Sequence, residues 1–351
     1  MAIDSFIIKY NQIRTFIQST EDYIIYGAGS NGQKIADYLQ NYSAKLIAFC
    51  DSDSKKHGTE FYGYPVLSPE QAVASNKMII VASTWYPQII AALRAAGATD
   101  ILNLSLIGIA KQPFNSNIKK ELLDIEQLLA DEDSKAVFSN LITFLLDDSA
   151  SALPLSDYPQ YLHPKIEHIP HINMIDGGAC LGESLDSFKD YFPNRINMLC
   201  FEPEHGNIHL LKNKINQMQL GGNVDVIEAG LWCEDTQLRF SSAAASGSNS
   251  NCNVDDNGDI VINTRSIDSI CAELEFIPNL IKMDIEGAEV AALEGAKNII
   301  TTHKPTLAIC LYHHLDDLWV IPQYIRSLRP DYKMSLGHHT KGWFETVLYC
   351  Y

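Results

Sequence analysis

Short apolar runs recur along the chain, each ending in a polar or acidic residue and each followed by a stretch with helical spacing. The pattern is sharpest at IKMDIEGAEVAALEGA, residues 281–296. There an apolar run ends in Asp284, turns through Glu286 and Gly287, and continues as an amphipathic helix. This is the signature of a buried parallel strand delivering carboxylates to the top of a sheet. Ligands of open α/β sheets bind at those carboxyl ends, so Asp284 and Glu286 are candidate site residues. Glu289, one helical turn further in, is better explained by helix packing or a salt bridge.

The same alternation opens the chain. DYIIY (22–26) runs into GAGSNGQKIADYL, placing Gly27, Gly29 and Gly32 in a G-x-G-x-x-G turn between a strand and a helix. Such glycines let the backbone approach a phosphate, and the helix N-terminus offers unpaired N–H groups to it. A second strand, KLIAFC, ends in Asp51, where a carboxylate would meet a ribose hydroxyl. MIIVAS and DILNLSL read as two further strands with the helix PQIIAALRAAG between them, giving one small doubly wound unit over about residues 22–107.

Residues 108–165 change register to helical segments, IKKELLDIEQLLADE and SKAVFSNLITFLLDD. Leu122, Leu123, Ile125, Leu128 and Leu129 recur at helical spacing, so this stretch reads as a helical bridge. The last segment of this stretch carries Tyr158, Tyr161 and His163, which line a substrate mouth or simply pack.

A second doubly wound pattern fills 166–351. HINMIDGGACLGESLDSF ends a strand in Asp176 and turns through Gly177, Gly178 and Gly182 into a helix; INMLCFEP ends in Glu202; VDVIEAGLW, LIKMDIEGAE, TLAICLYHH, KMSLGHH and ETVLYCY follow. The predicted sheet is mostly parallel, with the last adjacent pair antiparallel at an edge. QLRFSS and DIVINTRS bracket a Ser-, Asn- and Gly-rich tip, an inserted hairpin that is either a lid over a cleft or a solvated loop.

Composition narrows the partners. With 43 acidic and 26 basic residues the net charge is −17, which disfavours nucleic acid and anionic membranes. No apolar run reaches the ~18 residues of a membrane span. Eight cysteines without a C-x-x-C pair, and a start without a charged then apolar leader, point to a reduced, cytoplasmic protein; a homo-oligomer is left open.

A glycine turn leading into a helix, with an acid ending the next strand, suits a ribose-bearing ligand. Glu202 can accept from both ribose hydroxyls while Asp176 and the Gly177–Gly178 backbone cradle the rest. No GK[ST] follows the glycines, so triphosphate binding is not expected.

DGGACLG, FEP, RSIDSI and above all IKMDIEGAEVAALEGA resemble the FkbM family of S-adenosylmethionine-dependent methyltransferases across residues 165–351. The resemblance implies a seven-strand methyltransferase fold and methyl transfer to a hydroxyl oxygen, the acceptor being a glycan precursor or another hydroxylated small molecule. It implies that Asp176, Gly178 and Gly182 contact the amino acid part of the cofactor, Glu202 its ribose, and the strand end carrying Glu228 and Trp232 its adenine. In the N-terminal unit GAGSNG, FCDSD and GYPVLSPEQ resemble the nucleotide-sugar-binding domain of bacterial sugar acyltransferases, which implies a bound nucleotide or nucleotide-sugar. The expected fold class is therefore α/β, two doubly wound Rossmann-like domains joined by a helical bridge.

A hydroxyl acceptor gains from a base. The candidates are Asp284, Glu286 and the strand-end histidines His313, His314, His338 and His339, which titrate near neutral pH. The same oxygen and imidazole donors suit a divalent cation, but no ligand spacing requires one, and no metal site is assigned. Two other readings compete with an enzyme of this class. One is a binding or scaffold protein with a degenerate methyltransferase fold; the other is a nicotinamide-dependent oxidoreductase resting on GAGSNG alone.

Overall fold

The computed structural model describes residues 2–105, 117–145, 152–166, 169, 171–192, 196–218, 222–241, 253–254 and 260–351. It divides into two compact units, 1–123 with 138–153, and 124–137 with 154–351. The helices Ile118–Leu128 and Glu132–Phe144 cover the expected bridge and each contributes residues to both units. Leu122, Ile125 and Leu129 are buried, whereas Leu123 is exposed, so the apolar stripe is narrower than its leucine content implied.

In the first unit six strands form one sheet: β1 (Asp22–Tyr26), β2 (Lys45–Cys50), β3 (Glu60–Phe61), β4 (Tyr64–Leu67), β5 (Met78–Val81) and β6 (Ile101–Asn103). Their order is β3-β4-β2-β1-β5-β6, parallel except for the β3–β4 hairpin. That hairpin turns on Tyr62 and Gly63, both at positive φ, the backbone a two-residue turn needs. Its strands are too short to register as an apolar run. The core is apolar strand residues (Ile24, Ala48, Ile79, Val81) against Tyr86, Ile90 and Leu93 of the helix Tyr86–Ala95.

The second unit is built on seven strands: β7 (Ile172–Gly177), β8 (Ile196–Phe201), β9 (Val224–Ile227), β14 (Leu280–Met283), β15 (Thr306–Cys310), β16 (Met334–His338) and β17 (Thr346–Cys350). Their order is β16-β17-β15-β14-β7-β8-β9. β17 runs antiparallel to both its neighbours, and the remaining pairs are parallel. Every residue of β14 is buried, as a central strand covered on both faces demands. Each fully buried Leu, Ile or Met there stabilises the fold by about 1.5–3 kcal/mol relative to exposure.

β10 (Gly230–Leu231), β11 (Thr236–Ser241), β12 (Asn253–Val254) and β13 (Ile260–Arg265) form a second, small sheet. β11 and β13 are the two arms of the expected hairpin and pair antiparallel. Most of its tip, and with it the lid reading, lies outside the described residues.

β16 would otherwise end the large sheet with open backbone groups. Instead Leu129 bridges to Met334, Ala130 N–H donates to the Met334 carbonyl at 2.8 Å, and Ser156 N–H donates to the His338 carbonyl at 2.8 Å. The Ser134 hydroxyl accepts from Leu336 N–H at 2.9 Å. Residues just before the expected domain start therefore complete the sheet edge.

Candidate functional site

Strand order reverses between β7 and β14, the place where a doubly wound sheet opens a crevice at its carboxyl ends. Two backbone segments cross there at close quarters. A Cβ on Gly178, whose φ is +74°, would stand 1.9 Å from the Asp284 carbonyl, so no other residue fits. Asp284 N–H donates to the Gly177 carbonyl at 3.1 Å, stitching the glycine turn to the end of β14.

Above this crossing lies a cavity of about 130 Å³ that opens to solvent. Gly178, Cys180, Glu202 and Asn207 form one side; Phe201, Leu231, Trp232, Leu238 and Ile262 supply apolar walls; Asp284, Ile285, Glu286 and Ala288 close the other side. Glu202 is nearly buried and accepts from Cys180 N–H at 2.9 Å and Glu204 N–H at 2.8 Å. Burial pushes its carboxyl up, and these donors offset part of the rise.

On the opposite side a carboxylate cluster surrounds one imidazole. Asp284 accepts from the Tyr161 hydroxyl at 2.8 Å and the Tyr312 hydroxyl at 2.7 Å. Burial opposes its charge, but Lys282, His313 and the two phenols outweigh that and hold its carboxyl below the usual range. His313 Nδ1 lies 2.9 Å from Glu289, and its Nε2 lies 3.4 Å from Asp284 and 3.8 Å from Glu286. Burial alone would lower the imidazole, yet Glu289 first, then Asp284 and Glu286, raise it to about 10. His313 is thus an imidazolium at neutral pH and has no lone pair with which to take a proton.

Glu286 behaves in the opposite sense. Burial raises its carboxyl to about 7, despite His313, and its φ of +54° is a backbone conformation uncommon for a non-glycine residue. Strain of this kind persists where the surroundings over-determine it, commonly at functional sites. Glu345, at φ +63°, stands near the same cluster and hydrogen-bonds Gln160; burial and Asp284 push its carboxyl up. Among the described residues no group of three or more His, Cys, Asp or Glu side chains is arranged to hold a metal ion.

The candidates from the sequence divide accordingly. Gly178, Glu202, Trp232, Asp284 and Glu286 share the cavity. Asp176 does not line it: it is fully buried, paired with Lys282 at 2.9 Å and accepting from Ser184 at 2.5 Å. Gly177 packs against Leu231 and the Lys282 carbonyl, and Gly182, at φ +81°, begins the helix Glu183–Tyr191; neither lines the cavity. Glu228 pairs with Lys212 and lines a separate polar groove with Gln237, Asn263 and Arg265.

Of the histidines, His313 stands at the cluster. His314 lies over Gly287 and receives Asp317 at the following helix start, its backbone N–H donating to that carboxylate at 2.7 Å. His338 is buried against Thr346. His339 packs edge-on to Tyr158 and contacts the Tyr349 hydroxyl at 3.2 Å; burial lowers its imidazole to about 4, which removes it from the set of neutral-pH bases. His163 stacks on Tyr349 in the same aromatic cluster, leaving Tyr161 as the member of that segment that reaches Asp284.

In the first unit Gly27, at φ +123°, and Gly32, where a Cβ would stand 1.8 Å from the Gly27 carbonyl, are needed to close the turn. Gly29 faces open space. Asp51 is already engaged, accepting from Ala28 N–H at 3.1 Å, Asp53 N–H at 2.9 Å and Lys56 at 2.8 Å. Three donors thus already hold its carboxylate in place.

This sheet order and a cavity at the reversal of the strands define an α/β protein of the methyltransferase type. Residues 176–333 match the family model described as methyltransferase FkbM domain. The crystal structure of methyltransferase FkbM from Methylobacillus flagellatus KT is similar over 100% of this chain and 99% of that one, at 23% identity and a TM-score of 0.66, which establishes a shared fold. UDP-D-quinovosamine 4-dehydrogenase from Vibrio fischeri aligns at 25% identity over 29% of this chain and 85% of that one, TM-score 0.21. Precorrin-6y C5,15-methyltransferase from Geobacter metallireducens GS-15 aligns at 9% identity over 56% and 90%, TM-score 0.30. Neither of these two likenesses bears on fold or function here. No curated protein matches the chain. Among the described residues no helix is long and apolar enough to cross a membrane.

Proposed function

We propose that the second unit transfers a methyl group from S-adenosylmethionine to a hydroxyl oxygen of a small-molecule acceptor, such as a glycan precursor, with Glu286 as general base. The observation that carries this reading is one cavity walled by Glu202 and Trp232 on one side and by Asp284 and Glu286 on the other. Its donors fit the cofactor: a strand-end carboxylate for a ribose, apolar and indole walls for a purine, and carboxylates that tolerate a sulfonium. When bound, that cofactor supplies a strongly electrophilic methyl group, so alignment accounts for most of the acceleration the protein must provide.

Glu286 takes the acceptor proton because its carboxyl sits near neutral pH, where a base combines a useful ionised fraction with proton affinity. Asp284 has both oxygens engaged by phenols and serves as a fixed anion. The His313 imidazolium balances the charge that Asp284, Glu286 and Glu289 concentrate in one place.

Calorimetric titration with S-adenosylhomocysteine tests the reading: binding to the folded state must also raise the melting temperature. Well-folded protein that neither releases heat nor gains stability at high ligand would leave the scaffold reading in its place.

For the first unit the supporting observation is narrower. The Lys56 ammonium lies 2.9 Å from the Ala28 carbonyl, beside the glycine turn that starts the helix Ser30–Leu39. A cation and a helix start suit the phosphate of a nucleotide or nucleotide-sugar. Engagement of Asp51 weighs against a nicotinamide dinucleotide. Titration with a UDP-sugar and with NAD, read by calorimetry, separates the two.

A further inference from the structure

The lysine in the middle of β14 takes no direct part in the methyl transfer, yet it is fully buried in an otherwise apolar strand. Its Nζ lies 2.9 Å from Asp176 and donates to the carbonyls of Gly177 at 3.1 Å and Gly178 at 2.9 Å. Two of the three donors of the ammonium go to successive carbonyls of the glycine turn, while Asp176 balances its charge. Lys282 also stands 5.3 Å from the centre of the Tyr161 ring, within cation–π range. Tyr161 in turn holds Asp284 through its hydroxyl.

We propose that Lys282 is a positioning residue that fixes the glycine turn on the cofactor side and, through Tyr161, the orientation of Asp284 on the acceptor side. The proposal rests on the methyltransferase reading of this cavity. Lys282 does not line the cavity, so it acts through the groups it holds. Stability alone gives little reason for the arrangement: exchanging a buried ion pair for apolar residues of similar size is often neutral or stabilising. What an apolar pair cannot reproduce is the donation to two successive carbonyls of a turn whose second glycine faces the ligand space.

The test uses the full-length protein, Lys282→Met and the double variant Asp176→Leu/Lys282→Met. The single variant strands a buried carboxylate and loses stability; the double variant removes both charges and leaves apolar side chains of similar branching and reach. Melting temperature and S-adenosylhomocysteine affinity are measured in parallel. As a control, Leu199→Ala lowers stability in the same sheet without touching the turn. The expected result is a double variant that melts near the parent but binds at least about tenfold more weakly, while the control melts lower and binds normally. A double variant with parental affinity overturns the role of Lys282 and leaves the methyltransferase reading standing. Failure to fold by the double variant makes the pair structural and overturns it too. A parent protein that does not bind the ligand overturns both.

Discussion

His313 and Glu289 form an ion pair with Nδ1 2.9 Å from Oε1, both side chains almost wholly buried, and the other face of the imidazole turned to Asp284 and Glu286. The pair removes the most obvious base from the site and leaves a carboxylate in its place. A histidine at a strand end reads from sequence as a neutral-pH titrant; three acidic neighbours make this one a cation at neutral pH.

Glu286→Gln keeps the shape of the side chain and removes the base. Turnover should fall by about 10²–10⁴, the usual range for such a group. S-adenosylhomocysteine affinity should stay within about threefold of the parent, since Glu286 faces the acceptor, and calorimetry beside single-turnover kinetics measures both. Loss of affinity equal to the loss of turnover would assign Glu286 to cofactor binding instead.

The pH dependence of turnover follows from the same groups. Glu286 is protonated as pH falls through about 7, so rate should be lost on the acid side; His313 loses its charge through about 10, which sets the alkaline limit. A rate profile flat between pH 5 and 7, of order the wild-type maximum throughout, would be incompatible with this base.

Stability responds to His313 with a definite sign. Its folded value of about 10 exceeds the ordinary 6.5, so its contribution is fully present below 6.5 and is lost as pH rises through about 10. Thermal melts should show the wild type losing stability across that window, and His313→Gln, already lacking the contribution, losing less. His339 acts at the other end: its imidazole is held near 4, so the unfolded state binds the proton first and stability declines as pH falls from 6.5 towards 4.

Three glycines should rank by backbone rather than by motif. Gly178→Ala meets the Asp284 carbonyl and should destroy ligand binding; Gly32→Ala meets the Gly27 carbonyl and should lower the melting temperature sharply. Gly29→Ala, with open space and φ −160°, should change stability by no more than about 0.5 kcal/mol. Circular dichroism melts of the three rank them directly.

Much of the fold was legible because buried parallel strands are continuous apolar runs. INMID, INMLCF, LIKM and TLAIC each announced itself, and the acids or glycines after them marked the carboxyl edge. Which way a strand-end carboxylate points is a different question. Asp176 and Asp284 look alike in sequence, but Asp176 turns inward to Lys282 while Asp284 faces the cavity. A signal was present: a lysine inside LIKM requires a buried counter-charge, and Asp176 on the neighbouring strand pairs with Lys282 in register. Tyr312 and Glu345 gave less warning, since they reach Asp284 and its cluster from other loops through tertiary packing.

The covering of β16 has a practical corollary. A fragment starting at residue 166 would keep every strand of the large sheet but discard Leu129, Ala130, Ser134 and Ser156, which satisfy its edge. Bare edge strands recruit one another, so such a fragment is expected to aggregate. The smallest well-behaved form of the second unit must therefore carry the residues around 129–134 and 154–158 with it.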